Sequence, residues 1–225
     1  MRHCPLAFVD DLDDPRLNDE DHHHLARVRR LRQGEEMIVA DGKGRWRSAE
    51  FNGESPTPSG PIEVRDRPTP TISVGFALTK STKPELVVQK LTELGVDRIV
   101  PFMSERSVVR WDHKKAASAH KRLSKVSHEA AMQCHQLWLP EVMPVVDFNL
   151  LIADNPDVAL AEAGGDAPSL QRPFVLIGPE GGWSPEELLA VPARVALAGE
   201  TVLRAETAAI SAGALLGALR SGLVT

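Results

Sequence analysis

FVLIGPEGGWSPEEL, residues 174–188, decides how the chain is to be read. Four apolar residues run without a break into Gly178, Pro179, Glu180, Gly181 and Gly182, and Ser184-Pro185 then opens a charged segment. A short uninterrupted apolar run reads as a strand buried on both faces. Ser184 suits a helix N-cap. Pro185 suits the first helical position, where its missing N–H removes no helical hydrogen bond. The stretch therefore predicts a strand, a glycine-rich turn and a helix. Glycines in such a turn let the backbone approach a ligand closely. Open α/β sheets bind ligands at the carboxyl ends of their strands. The spacing is neither G-x-G-x-x-G nor a glycine loop closed by Gly-Lys-Ser/Thr, so it does not point to a dinucleotide or a nucleoside triphosphate.

The same alternation extends on both sides. VALAG (195–199) reads as a further strand, and a loop with Val202, Leu203 and Arg204 leads to a helix opening at Glu206-Thr207. Upstream, ISVGFALT (72–79), RIVPFM (98–103) and DVALAEA (157–163) read as strands. PELVVQKLTELG (84–95) has Pro84 at a helix start and Gly95 just past its end, and residues 114–136 carry helical spacing with many basic side chains. Alternating strands and helices imply an α/β domain with a mostly parallel sheet. The first 70 residues differ. MIVADGKGRWRSAEF (37–51) reads as a hairpin turning at Asp41-Gly42, and IEV (62–64) as another strand. The stretch 54–71 is dense in Pro, Ser and Thr, and after that strand it reads as a linker near Arg67–Thr71. The expected division is a small β-rich domain, 1–70, and an α/β domain, 71–225.

Composition bounds the function. At 42% hydrophobic residues the chain can bury a sizeable core, yet no apolar run approaches the ~20 residues that span a bilayer. The N-terminus turns acidic too early for a secretory signal. Two distant cysteines, Cys4 and Cys134, fit a reducing cytoplasm without a disulfide framework. The net charge of −5 is unevenly spread: residues 71–138 carry eleven Lys/Arg against six Asp/Glu, and 139–225 carry four against eleven. A basic middle in an acidic chain suggests a localised anionic partner; a solvated helical face is the plainer reading.

Four segments in order, LTELGV (91–96), SERSVV (104–109), IGPEGG (177–182) and VLRAET (202–207), resemble the bacterial small-subunit rRNA uridine-N3 methyltransferases of the SPOUT superfamily. HHLARVRRLRQGEE (23–36) followed by DGKG is similar to that family's PUA-like RNA-binding domain. The resemblance covers nearly the whole chain. It implies a trefoil-knotted parallel-sheet domain preceded by a small PUA-like β-barrel domain, S-adenosylmethionine as cofactor, 16S rRNA as substrate and a homodimer with the site at the subunit interface. Carried over position by position, the cofactor site would use Leu78, Thr79, Ile177, Gly178, Pro179, Glu180, Gly181, Gly182, Leu197, Ala198, Gly199, Leu203, Arg204, Glu206, Thr207 and Ala208. The chain departs from the family in its long helix, where Met132-Gln133 and then Gln136-Leu137 stand in place of Glu-Gln and then Arg.

Methyl transfer to uridine N3 needs a proton removed and negative charge stabilised on the uracil carbonyls. Arg204 is the candidate donor to that charge, and Glu206 or Glu180 the candidate proton acceptor. Both carboxylates have a structural alternative, in helix capping or loop bracing. Arg27, Arg29, Arg30 and Arg32 in the first domain are candidate phosphate contacts, as are Lys80, Lys83, Arg106, Arg110, Lys121, Arg122 and Lys125 in the second. Trp111, beside Arg110, is a stacking candidate; core packing is the alternative. His22-His23-His24, and His128 with Cys134 and His135, lack the spacing of a metal site, so no metal is expected. The rival readings are a SPOUT enzyme acting on transfer RNA or a ribose 2′-OH, and a catalytically silent RNA-binding protein.

Overall fold

The computed structural model describes residues 4–23, 25, 31–78, 84–107 and 109–225. The chain divides into two compact units, one of Met1–Arg67 with His128–Leu139 and one of Pro68–Ser127 with Pro140–Thr225. Residues 128–139, which the sequence expectation assigned to the second domain, therefore cluster with the first.

Within the first unit, β1 (Leu6–Phe8) pairs parallel with β2 (Glu36–Ala40), and β2 pairs antiparallel with β3 (Arg45–Phe51). The latter pair is the hairpin expected at Asp41-Gly42. β3 also pairs with β4 (Pro56–Pro58) and β5 (Glu63–Val64). Side chains alternate across a strand, and here both faces are covered. Ala7, Met37, Val39, Ala49 and Phe51 join one apolar cluster with Leu25 and Leu31. Leu6, Phe8, Ile38 and Ala40 join another with Ala131, Met132 and Leu137. That second face is why residues 128–139 belong to this unit. Helix α1 (Asp19–His23) supplies Asp21, buried at 4% exposure, which accepts from Asn18 Nδ2 and pairs with His128 at 3.0 Å.

In the second unit, every pairing of the seven-stranded sheet is parallel. Its order is β12 (Arg194–Val195), β10 (Ala159–Asp166), β11 (Phe174–Ile177), β6 (Ser73–Ala77), β7 (Arg98–Met103) and β8 (Glu141–Val142), and β9 (Val146–Asp147) also pairs with β7. The continuous apolar runs are explained by a layer on each face. Val74, Phe76, Ile99, Val175 and Ile177 face α2 (Pro84–Glu93), α3 (His113–Cys134) and α6 (Ala205–Arg220) through Val88, Leu91, Leu123, Ala209 and Leu216. Val100, Phe102, Leu160 and Leu176 face Phe148 and Leu151 of α4 (Phe148–Asp154), together with Trp183 and Val191 at the ends of α5 (Pro185–Ala190). Each fully buried Leu, Val or Phe contributes about 1.5–3 kcal/mol relative to exposure. Among the described residues no helix is long and apolar enough to cross a membrane.

One expected strand needs correction. VALAG forms a strand only through Val195, and residues 197–199 bend away. The cause lies in its neighbour. Ala161 and Asp166 of β10 both pair with Val195, so residues 162–165 bulge out and leave nothing for 197–199 to ladder with.

Candidate functional site

The bulge and the bend open a cleft at the carboxyl ends of β10 and β12. It has a volume of about 290 Å³ and is lined by Ala161, Glu162 and Ala163 on one side and by Leu197, Ala198, Gly199, Thr201, Val202, Leu203 and Ala208 on the other. That size lies near the lower end of small-molecule pockets, about 300–1,000 Å³. Its walls are mostly apolar, and one carboxylate, that of the exposed Glu162, stands on them.

Five of the residues carried over from the family resemblance meet here: Leu197, Ala198, Gly199, Leu203 and Ala208. Leu78 and Ile177 are instead buried in the core, at 1% and 2% exposure. Gly178, Pro179, Glu180, Gly181 and Gly182 form the turn after β11 and do not line the cleft. Arg204, exposed, is the N-cap of α6, with Glu206 and Thr207 in its first turn. Thr79, Lys80, Lys83, Arg27, Arg29 and Arg30 lie outside the described residues. Ala161, Glu162, Ala163, Thr201 and Val202 were not anticipated. DVALAEA is legible as a strand, but its place between β11 and β12 and its bulge are set by tertiary pairing.

The glycine turn is built as its residue types require. Gly182 N donates to Pro179 O at 2.9 Å, and Gly182 has φ of 69°, a left-handed conformation that costs a side-chain-bearing residue energy. A Cβ on Gly178 would lie 2.9 Å from the Trp183 ring, so only glycine fits. Trp183 is buried, lies 6.1 Å from Phe102 in a stacked arrangement, and donates its indole N–H to Ala161 O at 3.0 Å. Since Ala161 lines the cleft, the end of the glycine turn is tied to the cleft wall.

The turn is braced from its other side as well. Ser184 caps α5 by accepting from Glu187 N, and Glu187 Oε2 accepts from Ser184 N at 2.9 Å, a complete capping box. Glu187 Oε1 accepts from Glu105 N at 3.0 Å, and Arg106 Nη1 donates to Gly181 O at 3.0 Å. Residues 105 and 106 thus hold the first turn of α5 and the glycine turn, and Arg106, expected among the RNA contacts, reaches the Gly181 carbonyl. Of the other expected contacts, Arg122 pairs with Glu85 at 2.6 Å, while Arg32, Arg110, Lys121 and Lys125 are exposed. Among the described residues no cluster of three His, Cys, Asp or Glu is placed to hold a metal.

These walls fit S-adenosylmethionine: small apolar side chains and an open glycine suit an adenine, and a carboxylate suits a sulfonium cation.

The chain matches the RNA methyltransferase domain model over residues 66–217 and the RNA methyltransferase PUA domain model over residues 17–57. A protein of Mycobacterium tuberculosis named ribosomal RNA small subunit methyltransferase E is 30% identical over 96% of this chain and 92% of its own length. One of the same name from Bacillus subtilis is 28% identical over 87% of this chain and 86% of its own. The crystal structure of a ribosomal RNA small subunit methyltransferase E from Neisseria gonorrhoeae bound to S-adenosyl methionine is 25% identical, with a TM-score of 0.80, covering 96% of this chain and 98% of that one.

Proposed function

The chain belongs to the ribosomal RNA small subunit methyltransferase E family of RNA methyltransferases, and from that premise we propose that it transfers a methyl group from S-adenosylmethionine to N3 of one uridine in 16S rRNA. The observation that carries this reading is the cleft at the strand ends, walled by residues 161–163 and 197–203 and tied to the glycine turn through Trp183.

When bound, S-adenosylmethionine supplies a methyl carbon already activated by its sulfonium. The chain's task is alignment and proton handling. Ala161, Leu197, Leu203 and Ala208 offer an apolar slot, and Glu162 offers a negative charge to complement the cofactor's cation. Arg204 donates to the uracil carbonyl on which charge develops as N3 loses its proton. Glu206 takes that proton, in preference to Glu180, because it stands in the helical turn that also gives Ala208 to the cleft, whereas the turn bearing Glu180 stays outside it. N3 then bonds to the methyl carbon as the carbon–sulfur bond breaks.

The rest of the reading is proposed on the same basis. The first unit docks RNA, with Arg32 near its surface and Arg27, Arg29 and Arg30 in the same segment; Arg110, Lys121 and Arg122 meet phosphates from the second. The loops at 178–182 and 196–204 form the knot of the SPOUT fold. The working form is a homodimer, supported by Val202, 98% exposed at the cleft, and by the half-exposed Ile210, Leu215 and Leu219 of α6. The cytoplasm, where ribosomes assemble, is the place of action.

Nucleoside mass spectrometry of rRNA from a deletion strain tests the substrate. Loss of one N3-methyluridine from 16S rRNA is expected. Loss of a transfer RNA or ribose methylation instead would reassign the enzyme, and an unchanged profile with no calorimetric signal for S-adenosylmethionine would leave a silent RNA binder.

A further inference from the structure

Trp111 precedes α3 and borders a groove separate from the cofactor cleft, with a volume of about 320 Å³. It is lined by Trp111 and the N-cap Asp112 together with Lys114, Lys115, Ser118, Ala119 and Arg122 of α3. Those helical positions recur at three- and four-residue spacing, so they share one face of α3. Ala119 is buried and Ser118 is small, so the helix backbone lies close to the groove floor. Trp111 is half-buried against the core of its unit, which holds the ring rigid while leaving part of it accessible. The Lys115 ammonium lies 5.8 Å from the ring centroid.

Charge decides what such a groove accepts. From His113 to Ser127, α3 carries Lys114, Lys115, Lys121, Arg122 and Lys125 and not one Asp or Glu. The nearby carboxylates of Asp112 and Glu85 are both engaged. Asp112 accepts from Lys115 N at 2.7 Å, and Glu85 pairs with the exposed Arg122. A rigid aromatic face beside a row of cations is the arrangement by which proteins hold single-stranded nucleic acid, with a base stacked on the ring and its phosphates on the basic side chains. Lys115 already shows that the face attracts a partner. A lysine over a half-exposed ring is weakly held and yields to a base.

We propose that this groove is a nucleotide subsite of the RNA substrate: one unpaired base stacks on Trp111 and the flanking phosphates meet Lys114 and Arg122. The proposal rests on the RNA methyltransferase reading for the identity of its occupant, and it adds a contact surface that the cofactor cleft does not contain.

The test uses the full-length protein and a fluorescein-labelled, mixed-sequence 12-nucleotide single-stranded RNA, followed by anisotropy at fixed salt. Trp111→Ala is expected to weaken RNA binding by about 5- to 100-fold. Trp111→Phe should keep most of the affinity, and S-adenosylmethionine affinity by calorimetry should stay within twofold in both. Ser118→Glu puts a carboxylate in the groove without touching the core and should weaken RNA binding similarly at unchanged thermal stability, which keeps the proposal testable if Trp111→Ala fails to fold. Lys114→Ala should reduce the slope of log affinity against log salt by about 0.7. RNA affinity within twofold of wild type in Trp111→Ala and Ser118→Glu overturns the proposal, as does a shift from dimer to monomer in either, which would make the groove a contact between copies. Normal 16S rRNA methylation with RNA binding indifferent to Trp111 sinks the groove and leaves the enzyme. RNA binding that depends on Trp111 without methyl transfer does the reverse.

Discussion

Arg204 stands exposed at the N-cap of α6, makes no capping hydrogen bond through its side chain, and has no partner among the described residues. An exposed guanidinium next in sequence to the cleft-lining Leu203 and without a structural task is available to a developing anion. Arg204→Ala is expected to lower turnover by about 10²–10³-fold, with S-adenosylmethionine affinity changed less than threefold; equal losses in both would remove its catalytic role. Arg106 predicts the opposite pattern. Its guanidinium is spent on Gly181 O, so Arg106→Ala should weaken cofactor binding by about two- to tenfold and leave RNA affinity nearly unchanged. A drop in RNA affinity alone would return it to the phosphate contacts. At this scale the site was partly legible. Leu197, Ala198, Gly199, Leu203 and Ala208, carried over from the family resemblance, line the cleft. Ala161 and Ala163 could not be carried over, because they lie outside the motifs that carry the resemblance and only the bulge in β10 brings them there. Arg106 and Glu187 show the other limit: the chain announces their charge, while the fold decides which backbone groups they meet.

Helix α5 shows how local chemistry fixes an element. Ser184, Pro185 and Glu187 specify its start without help from the rest of the molecule, and the capping box is formed as those residue types predict. Glu187 then does more, since one of its oxygens accepts from Glu105 N, 82 residues away. Ser184→Ala should therefore cost about 1 kcal/mol. Glu187→Ala should cost more, about 1–3 kcal/mol for each buried donor left without an acceptor. Urea midpoints at unchanged slope measure both, and an equal effect would mean that the Glu105 contact adds nothing. Strands were legible where apolar runs are long, as in β6, β7 and β11. Val195–Gly199 misled because the same apolar run serves as a cleft wall once its ladder partner has turned away. β8, β9 and β12, two residues each, and the seven-residue α4 are too short for periodicity to mark.

At the scale of the whole molecule, the α/β character of the second unit follows from alternating strands and helices, yet strand order does not. It was the parallel order β12–β10–β11–β6–β7–β8 that set two loop-bearing strand ends on either side of β10. The C-terminal helix is locked to this sheet by Arg220, which donates to Asp97 and to Pro70 O from a site where the two side chains are 9% and 2% exposed. Asp97 in turn accepts from Ile72 N at 2.8 Å. Arg220→Ala leaves that carboxylate buried without its cation and should destabilise the second unit by about 3–5 kcal/mol in urea unfolding; a loss under 1 kcal/mol would show the pair to be dispensable. The half-exposed apolar side chains Ile210, Leu215 and Leu219 of α6 predict sedimentation as a dimer, and a monomer at micromolar concentration would contradict that prediction. The most direct measurement supplies purified protein and S-adenosylmethionine labelled in its methyl group to small ribosomal subunits from the deletion strain, and reads the label by mass spectrometry of the digested 16S rRNA. One labelled N3-methyluridine, abolished by Arg204→Ala, is the expected result; label on a ribose, on another base, or nowhere would contradict the account.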